Sequence, residues 1–405
     1  SGRRLYFGRY YGYESELSEA LKALATQRSD LADGLEAFSG GPESGIDDPC
    51  QQRAIAIALN QRFCIISGGP GTGKTTLIVA IISQLLLSSG HDLRIALAAP
   101  TGKAAMRMQE SIKAQLGGTA LEPSLADRFP DQAMTLHRLL RIGRRSSGLG
   151  VWEADPLGYD VVVVDEASMI DLAMMWRLVR SLKEGARLIL LGDRDQLASV
   201  ESGAVLADCI DSLPANVARL EKSYRFNKQI ARFAEAVKTG DSDNAWVLGS
   251  GSGDSEVSIP PADWLDRCIE GYRSYVALAA KIKDPARYNT VFREFNRFRV
   301  LCAVRKGSSG VEEINRRIER ALSIDSPPVG SEQFYSGGPV IVTRNDYNLG
   351  LYNGDIGICL PDPDAGGALR LWFEGADGSL KKFLPGQIPL HDPAWALTIH
   401  KSQGS

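Results

Sequence analysis

Four short apolar runs set the rhythm of the first half of the chain. They are "FCIIS", "RIALAAP", "DVVVVDEAS" and "ARLILLGD", and none alternates with polar residues. Between them lie longer stretches with helical spacing, "TTLIVAIISQLLL", "GKAAMRMQESIKAQL" and "LAMMWRLVRSL". Unalternating strands separated by helices predict a parallel sheet covered on both faces, a doubly wound α/β domain. Ligands of such sheets sit at the carboxyl ends of the strands. The preceding residues, up to the Gly/Pro/Ser-rich "FSGGPESG", predict one or two helices and a linker.

Past about Glu221 the rhythm restarts. "FRVLCAV" and "GVEEINRRIERAL" predict another strand and helix. The texture then changes to "GPVIVTRND", "NGDIGICLPD", "ALRLWFEG" and "LKKFLPGQI", short strands with Gly, Asp and Asn turns and no helix between them. That pattern predicts a small antiparallel barrel inserted into a second α/β domain.

Composition changes this picture little. The 405 residues are 44% hydrophobic and 23% charged, enough for several globular domains. No apolar run approaches the roughly 18 residues of a membrane span, and the opening "SGRRLYFGRYYGYE" lacks the apolar stretch of a signal peptide. Six scattered cysteines without a Cys-x-x-Cys pair fit thiols of a reducing, cytoplasmic compartment. The net charge of −3 does not mark a nucleic-acid binder. Charge is uneven, however: "RLLRIGRR" holds four arginines and no acid, the pattern of a polyanion site or of a solvated face.

The chemistry lies at the strand ends. "GGPGTGKT", Gly68 to Thr75, fits G-x-x-x-x-G-K-[ST] between a strand and a helix. Its glycines let backbone N–H groups wrap phosphate, and the helix N-terminus adds positive potential. Lys74 is expected to reach the β- and γ-phosphates and Thr75 to ligate Mg²⁺. "VVVVDEAS" ends in Asp165, suited to the metal, and Glu166, suited to positioning the attacking water. "LLGDRDQLASV" places Gln196 just past another strand, where its amide can bond the γ-phosphate or its water. Arg225 in "KSYRF" has the character of an arginine finger.

Taken together, "SGGPGTGKTT", "APTGKAA", "TLHRLL", "VVDEASMID", "LGDRDQLASVESGAVL", "KSYRF", "NGDIGI" and "TIHKSQGS" resemble the motifs of superfamily 1 DNA helicases, in order. Within them the chain resembles the family of RecD subunits of the bacterial RecBCD (exonuclease V) helicase–nuclease. The 3′→5′ helicases place aromatics just after the Gln for base stacking; "QLASVESGAVL" has none, which favours the 5′→3′ branch. The resemblance implies two RecA-like domains sandwiching ATP, single-stranded DNA across their tops and 5′→3′ movement. It also implies RecB- and RecC-like partners in a heterotrimer acting on duplex DNA ends, in double-strand-break repair and recombination; the alternative readings are a stand-alone 5′→3′ helicase of the same branch or a DNA-bound regulatory ATPase subunit with little motor activity. No membrane partner is implied.

Residue by residue, the resemblance implies an adenine-reading role for Gln51. The nucleotide site would comprise Gly68, Gly69, Pro70, Gly71, Thr72, Gly73, Lys74, Thr75 and Thr76, with Gln403 and Gly404 from the far end of the chain. Thr101, Lys103, Thr135 and His137 would face DNA. Thr398, His400, Lys401 and Ser402 would belong to a loop linking DNA to the nucleotide. The implied domains are a helical, partner-docking remnant at 1–44 and a first RecA-like domain at 45–220 with a small insertion at about 138–158. A second RecA-like domain would span 221–334 and 392–405, with an SH3-like barrel at 335–391. A further motif bearing a γ-phosphate Arg is expected some tens of residues beyond "TIHKSQGS", so the chain reads as part of a longer one.

Overall fold

In the first half, six strands run parallel: β1 (Phe63–Gly68), β2 (Ile95–Ala99), β3 (Ala133–Thr135), β4 (Val161–Val164), β5 (Arg187–Gly192) and β6 (Val217–Leu220). Their order across the sheet is β3-β2-β4-β5-β1-β6, and every neighbouring pair is parallel. The structure is a computed structural model. It describes residues 7–28, 48–89, 92–118, 123–142, 156–197, 203–222, 228–250, 256–259, 263–322, 334–346, 348–375, 378–388 and 390–402. Its two compact units are Ser1–Leu248 and Gly249–Ser405.

Both faces of the parallel sheet are covered, as the unalternating strands require. Cys64 and Ile66 of β1 face one core, shared with helices Pro49–Asn60 and Lys74–Ser88. Phe63 and Ile65, one residue out of step, face the other, shared with helices Leu172–Arg180 and Val205–Ser212. Helix Gly8–Thr26 buries Leu17 and Leu21 in this second core. Tyr13 lies 4.5 Å from Trp176, centroid to centroid, and the Trp176 indole N–H donates to Glu16 at 2.9 Å. That helix therefore belongs to the first unit.

Two edge strands, β3 and β6, go beyond the four expected. They are three and four residues long, too short to show a period. Helices Lys228–Thr239 and Ser242–Gly249 also group with the first unit, beyond the expected boundary at 220/221, the latter reaching the unit border at Gly249. The first of them is tied back by Lys238, which pairs with Asp195 at 2.9 Å.

In the second unit, β7 (Val300–Cys302) pairs in parallel with β13 (Ala396–Thr398). Between them in the chain come β8 (Pro339–Val342), β9 (Ile356–Asp362), β10 (Ala368–Glu374), β11 (Leu380–Phe383) and β12 (His391–Pro393). These five form an antiparallel sheet in the order β11-β10-β9-β8-β12. The antiparallel sheet is thus an excursion between two paired parallel strands. Helices Trp264–Lys281, Tyr288–Phe295 and Val311–Ala321 supply the core, centred on fully buried Trp395, Tyr272, Tyr275 and Phe295. Among the described residues no helix is long and apolar enough to cross a membrane.

Candidate nucleotide site

Strand order creates the site. β5 lies between β1 and β4, with Ser67 opposite Gly192 and Val164 opposite Leu190. The carboxyl ends of β1, β5 and β4 are therefore neighbours, and they carry the glycine-rich loop, Asp193 and the pair Asp165–Glu166. At the usual strand spacing, the outer two of the three ends lie about 10 Å apart.

The loop after β1 needs its glycines. Gly71 and Gly73 have φ of 76° and 83°, and Gly73 is the N-cap of helix Lys74–Ser88. Gly68 has no space for a side chain: a Cβ there would lie 2.7 Å from Thr72 Oγ1 and 2.9 Å from Leu220 Cβ. The Thr72 hydroxyl donates to the Gly69 carbonyl at 2.9 Å, closing the turn. Lys74 Nζ donates to the carbonyls of Gly68 at 2.6 Å and Gly69 at 3.1 Å. Pro70, at the tip of the turn, is exposed; Thr75 is half-buried and Thr76 exposed.

Gln51 reaches the same loop. Its helix begins at Pro49, and the Asp48 side chain accepts from the Cys50 N–H. Gln51 is buried, and its Nε2 donates to the Thr72 carbonyl at 3.3 Å. In this geometry it braces the loop. Buried Arg187, at the start of β5, donates to the Ala58 and Leu59 carbonyls at the helix's other end. Burial and the nearby Arg62 push the Arg187 guanidinium down to about 10.

The two acids differ from ordinary surface carboxylates. Glu166 stands at φ 52°, a conformation rare outside glycine, and its N–H donates to Asp165 Oδ1 at 2.8 Å. Burial raises the pKa of Asp165, against the Glu166 N–H and the Lys74 ammonium, which lower it. Burial also raises that of Glu166, helped by the charges of Asp165 and Asp193 and opposed by Lys74 and Arg107. A carboxylate held above its ordinary range is the better proton acceptor. Gln196 follows in a turn whose N–H donates to the Asp193 carbonyl at 3.3 Å.

Sequence reasoning passed over Asp193 and Arg107. A Cβ on Gly69 would lie 3.7 Å from Asp193 Oδ2, so this carboxylate stands beside the glycine-rich loop. Its signal was position, as the first polar residue after a buried parallel strand. Arg107 stands one turn along the helix from Lys103, and no spacing rule points to it.

The residues expected at DNA have other engagements. Thr101 Oγ1 accepts from the Ala104 N–H at 3.2 Å, at the start of helix Gly102–Gly118. Lys103 is half-buried on that helix. Thr135 is 5% exposed and its hydroxyl accepts from the Arg138 N–H at 3.2 Å, while His137 is exposed. Thr398 closes β13 in the second unit, with His400 half-buried beyond it. There Lys401 Nζ donates to Asp392 at 3.1 Å and the Ser402 hydroxyl to the Ile399 carbonyl at 2.7 Å. Arg225, Gln403 and Gly404 lie outside the described residues.

Hard oxygen donors suit Mg²⁺, and Asp165 and Thr75 supply them. Among the described residues no three or more His, Cys, Asp or Glu side chains cluster as a metal cage. Mg²⁺ tolerates so sparse a set, since it keeps waters and takes phosphate oxygens. The residues fit the ion.

A family model described as "AAA domain" matches residues 51–202. The chain is 38% identical over all of its length to the RecBCD enzyme subunit RecD of Mycolicibacterium smegmatis, covering 72% of that protein. It is 33% identical to the RecBCD enzyme subunit RecD of Haemophilus influenzae over 99% of the chain and 70% of the relative. Similarity to the ATP-dependent RecD2 DNA helicase of Deinococcus radiodurans is lower, 28% over 99% of the chain and 50% of the relative. At such identity over so much of both proteins, the relationship extends past the glycine-rich loop to the whole chain, which belongs to the RecD family.

Proposed function

We propose that this chain is an ATP-dependent motor that moves 5′→3′ on single-stranded DNA. It would work as the RecD-like subunit of a RecBCD-type, exonuclease V-like complex with RecB- and RecC-like partners, acting on DNA ends in cytoplasmic double-strand-break repair. The observation that carries the reading is the shared strand edge on which Lys74, Asp165, Glu166 and the Asp193–Gln196 turn stand together.

In this reading the loop N–H groups and Lys74 hold the nucleotide's phosphates. Gln51 supports the loop and reads the base. Thr75 and Asp165 would hold Mg²⁺, which when bound neutralises charge developing on the phosphate oxygens. Glu166 orients water and takes its proton, its raised pKa suiting the task. Gln196 bonds the water or the γ-phosphate, and Arg225 stabilises charge in the transition state. Gln403 and Gly404 complete the nucleotide contacts.

Thr101, Lys103, Thr135 and His137 from the first unit touch DNA, as do Thr398, His400, Lys401 and Ser402 from the second. The antiparallel excursion serves as an SH3-like barrel at 335–391. Helix Gly8–Thr26 and its surroundings, within 1–44, serve partner docking. RecA-like domains at 45–220 and at 221–334 with 392–405 complete the organisation.

The test is ATPase with and without single-stranded DNA, and unwinding of duplexes bearing one tail. DNA-stimulated turnover with unwinding from a 5′ tail is expected. Unwinding from 3′ tails alone would reverse the assigned polarity, and an ATPase indifferent to DNA would remove the motor.

A further inference from the structure

The second unit holds a buried polar cluster that nucleotide chemistry does not explain. Asn315, on helix Val311–Ala321, is 4% exposed. Its Oδ1 accepts from the Ala396 N–H at 2.8 Å. Its Nδ2 donates to the Ala396 carbonyl at 3.2 Å and the Pro393 carbonyl at 3.3 Å. An amide that engages both polar groups of one strand residue does what a neighbouring strand would do.

The rest of the segment is held as closely. The Ala394 N–H donates to the Pro339 carbonyl at 3.0 Å. The Tyr272 hydroxyl donates to the Trp395 carbonyl. The Trp395 indole N–H donates to the Tyr335 hydroxyl at 3.0 Å, which donates in turn to Glu319 at 2.7 Å. The ladder to β7 holds β13 along one edge, and apolar packing alone would leave its other edge without directional contacts. The bonds from Asn315 supply them there, which is what a satisfied buried polar network contributes beyond burial.

We propose that Asn315 is a positioning residue that fixes β13 and, through it, the Thr398–Ser402 segment. The inference rests on the function proposed above, in which that segment grips DNA. Thr398 lies two residues beyond Ala396 on the same strand, opposite Cys302 of β7. A slip at Ala396 passes directly into the segment, and displacements of an ångström cost large factors where several groups must converge on one ligand.

The test uses the full-length protein and compares Asn315→Asp, Asn315→Ala and, as a control, Tyr288→Phe. Asn315→Asp keeps an acceptor for the Ala396 N–H but turns negative oxygen toward two carbonyls. Tyr288→Phe removes a part-buried bond, to the Pro361 carbonyl at 2.6 Å, from a buried side chain in the same core but on the antiparallel sheet.

The readout is the oligo-dT concentration that half-stimulates the ATPase. Both Asn315 variants should raise it by about tenfold or more. DNA-free ATPase and nucleotide affinity should move less than half-stimulation does, since of the proposed nucleotide contacts only Gln403 and Gly404 follow that segment. Exchange of the Ala396 amide should quicken. Tyr288→Phe should lower thermal stability without moving half-stimulation.

An unmoved half-stimulation in Asn315→Asp, or an equal movement in Tyr288→Phe, would overturn the inference. So would unfolding of the second unit by Asn315→Asp under conditions where Tyr288→Phe keeps it folded, since the role would then be structural. A wild-type ATPase that ignores DNA would instead remove the proposed function, and the Ala396 exchange would still report whether Asn315 holds the strand.

Discussion

Lys74 Nζ donates to the Gly68 carbonyl at 2.6 Å, so the ammonium that opens the helix folds back over the loop preceding it. The side chain is thereby held against the loop, where in the proposed reading it would meet phosphate bound by the loop N–H groups. A cation fixed in advance where charge develops contributes several kcal/mol to the transition state. Lys74→Ala should therefore keep the fold and reduce ATP turnover by on the order of 10³-fold. Circular dichroism and steady-state ATPase check it. Turnover above about a tenth of wild type would mean that Lys74 does not serve the γ-phosphate.

Glu166 and Asp165 share one edge but differ in their hydrogen bonding. Asp165 accepts the Glu166 N–H and is oriented by it, whereas Glu166 is free of that constraint at its carboxylate. Glu166→Gln should leave nucleotide affinity within about threefold and reduce turnover by roughly 10² to 10⁴, the usual contribution of a positioned general base. Titration with a fluorescent nucleotide alongside ATPase separates the two effects. A collapse of affinity instead would make Glu166 a metal ligand.

Much of this was legible because strands buried on both faces write themselves as apolar runs. The four valines of "DVVVVDEAS" became β4, and the glycine-rich loop stands between a strand and a helix as its residue types required. The short edge strands β3 and β6 were not legible, since their pairing is decided by the neighbours they find. Gln51 was assigned to the base by resemblance, yet its hydrogen bond to Thr72 depends on how helix and loop meet in space. Asp193 illustrates the same limit: its place beside Gly69 follows from β5 lying next to β1, a fact of sheet order that no local pattern contains.

Gly68 offers a test of packing between the loop and the neighbouring strand. A Cβ at 2.7 Å from Thr72 Oγ1 and 2.9 Å from Leu220 Cβ must displace the loop, β6 or both. Gly68→Ala should cost about 1–3 kcal/mol of stability, the usual range for overpacking, and should weaken nucleotide binding as the loop shifts. Chemical denaturation and nucleotide titration measure the two. Wild-type stability in Gly68→Ala would show that the loop and β6 do not pack as described.

Buried tyrosine hydroxyls should make the second unit sensitive to alkali. Tyr272 is fully buried, and burial pushes its hydroxyl up to about 12, with Arg299 and a Val300 backbone bond opposing. An acid whose folded pKa is raised stabilises the fold below the unfolded value of about 10, and that contribution is lost as pH rises toward about 12. The loss from this group alone is on the order of 3 kcal/mol. Unfolding free energy should fall across that window, and Tyr272→Phe should flatten the fall while lowering stability at neutral pH. An unchanged slope in Tyr272→Phe would place its hydroxyl in contact with solvent.

The arginines that follow Thr135 decide whether the first unit carries DNA by charge. Arg138 and Arg141 are exposed, and Arg141 holds φ of 53° in the turn that ends helix Leu136–Leu139. A non-glycine residue in the left-handed region carries a modest conformational cost. The chain as a whole carries a net charge of −3, so general attraction to DNA is absent and any affinity must come from local clusters. Each phosphate contact on a single strand releases counterions and steepens the dependence of log affinity on log salt by about 0.7. The double variant Arg138→Gln with Arg141→Gln should therefore shallow that slope by roughly 1.4 and weaken binding to all sequences alike. Glutamine is shorter than arginine but keeps an unbranched, polar side chain, so the turn itself should persist. Fluorescence anisotropy of labelled oligonucleotides across a salt series provides the measurement. A slope equal to that of wild type would show that these arginines form a solvated face and that the DNA path runs elsewhere on the unit.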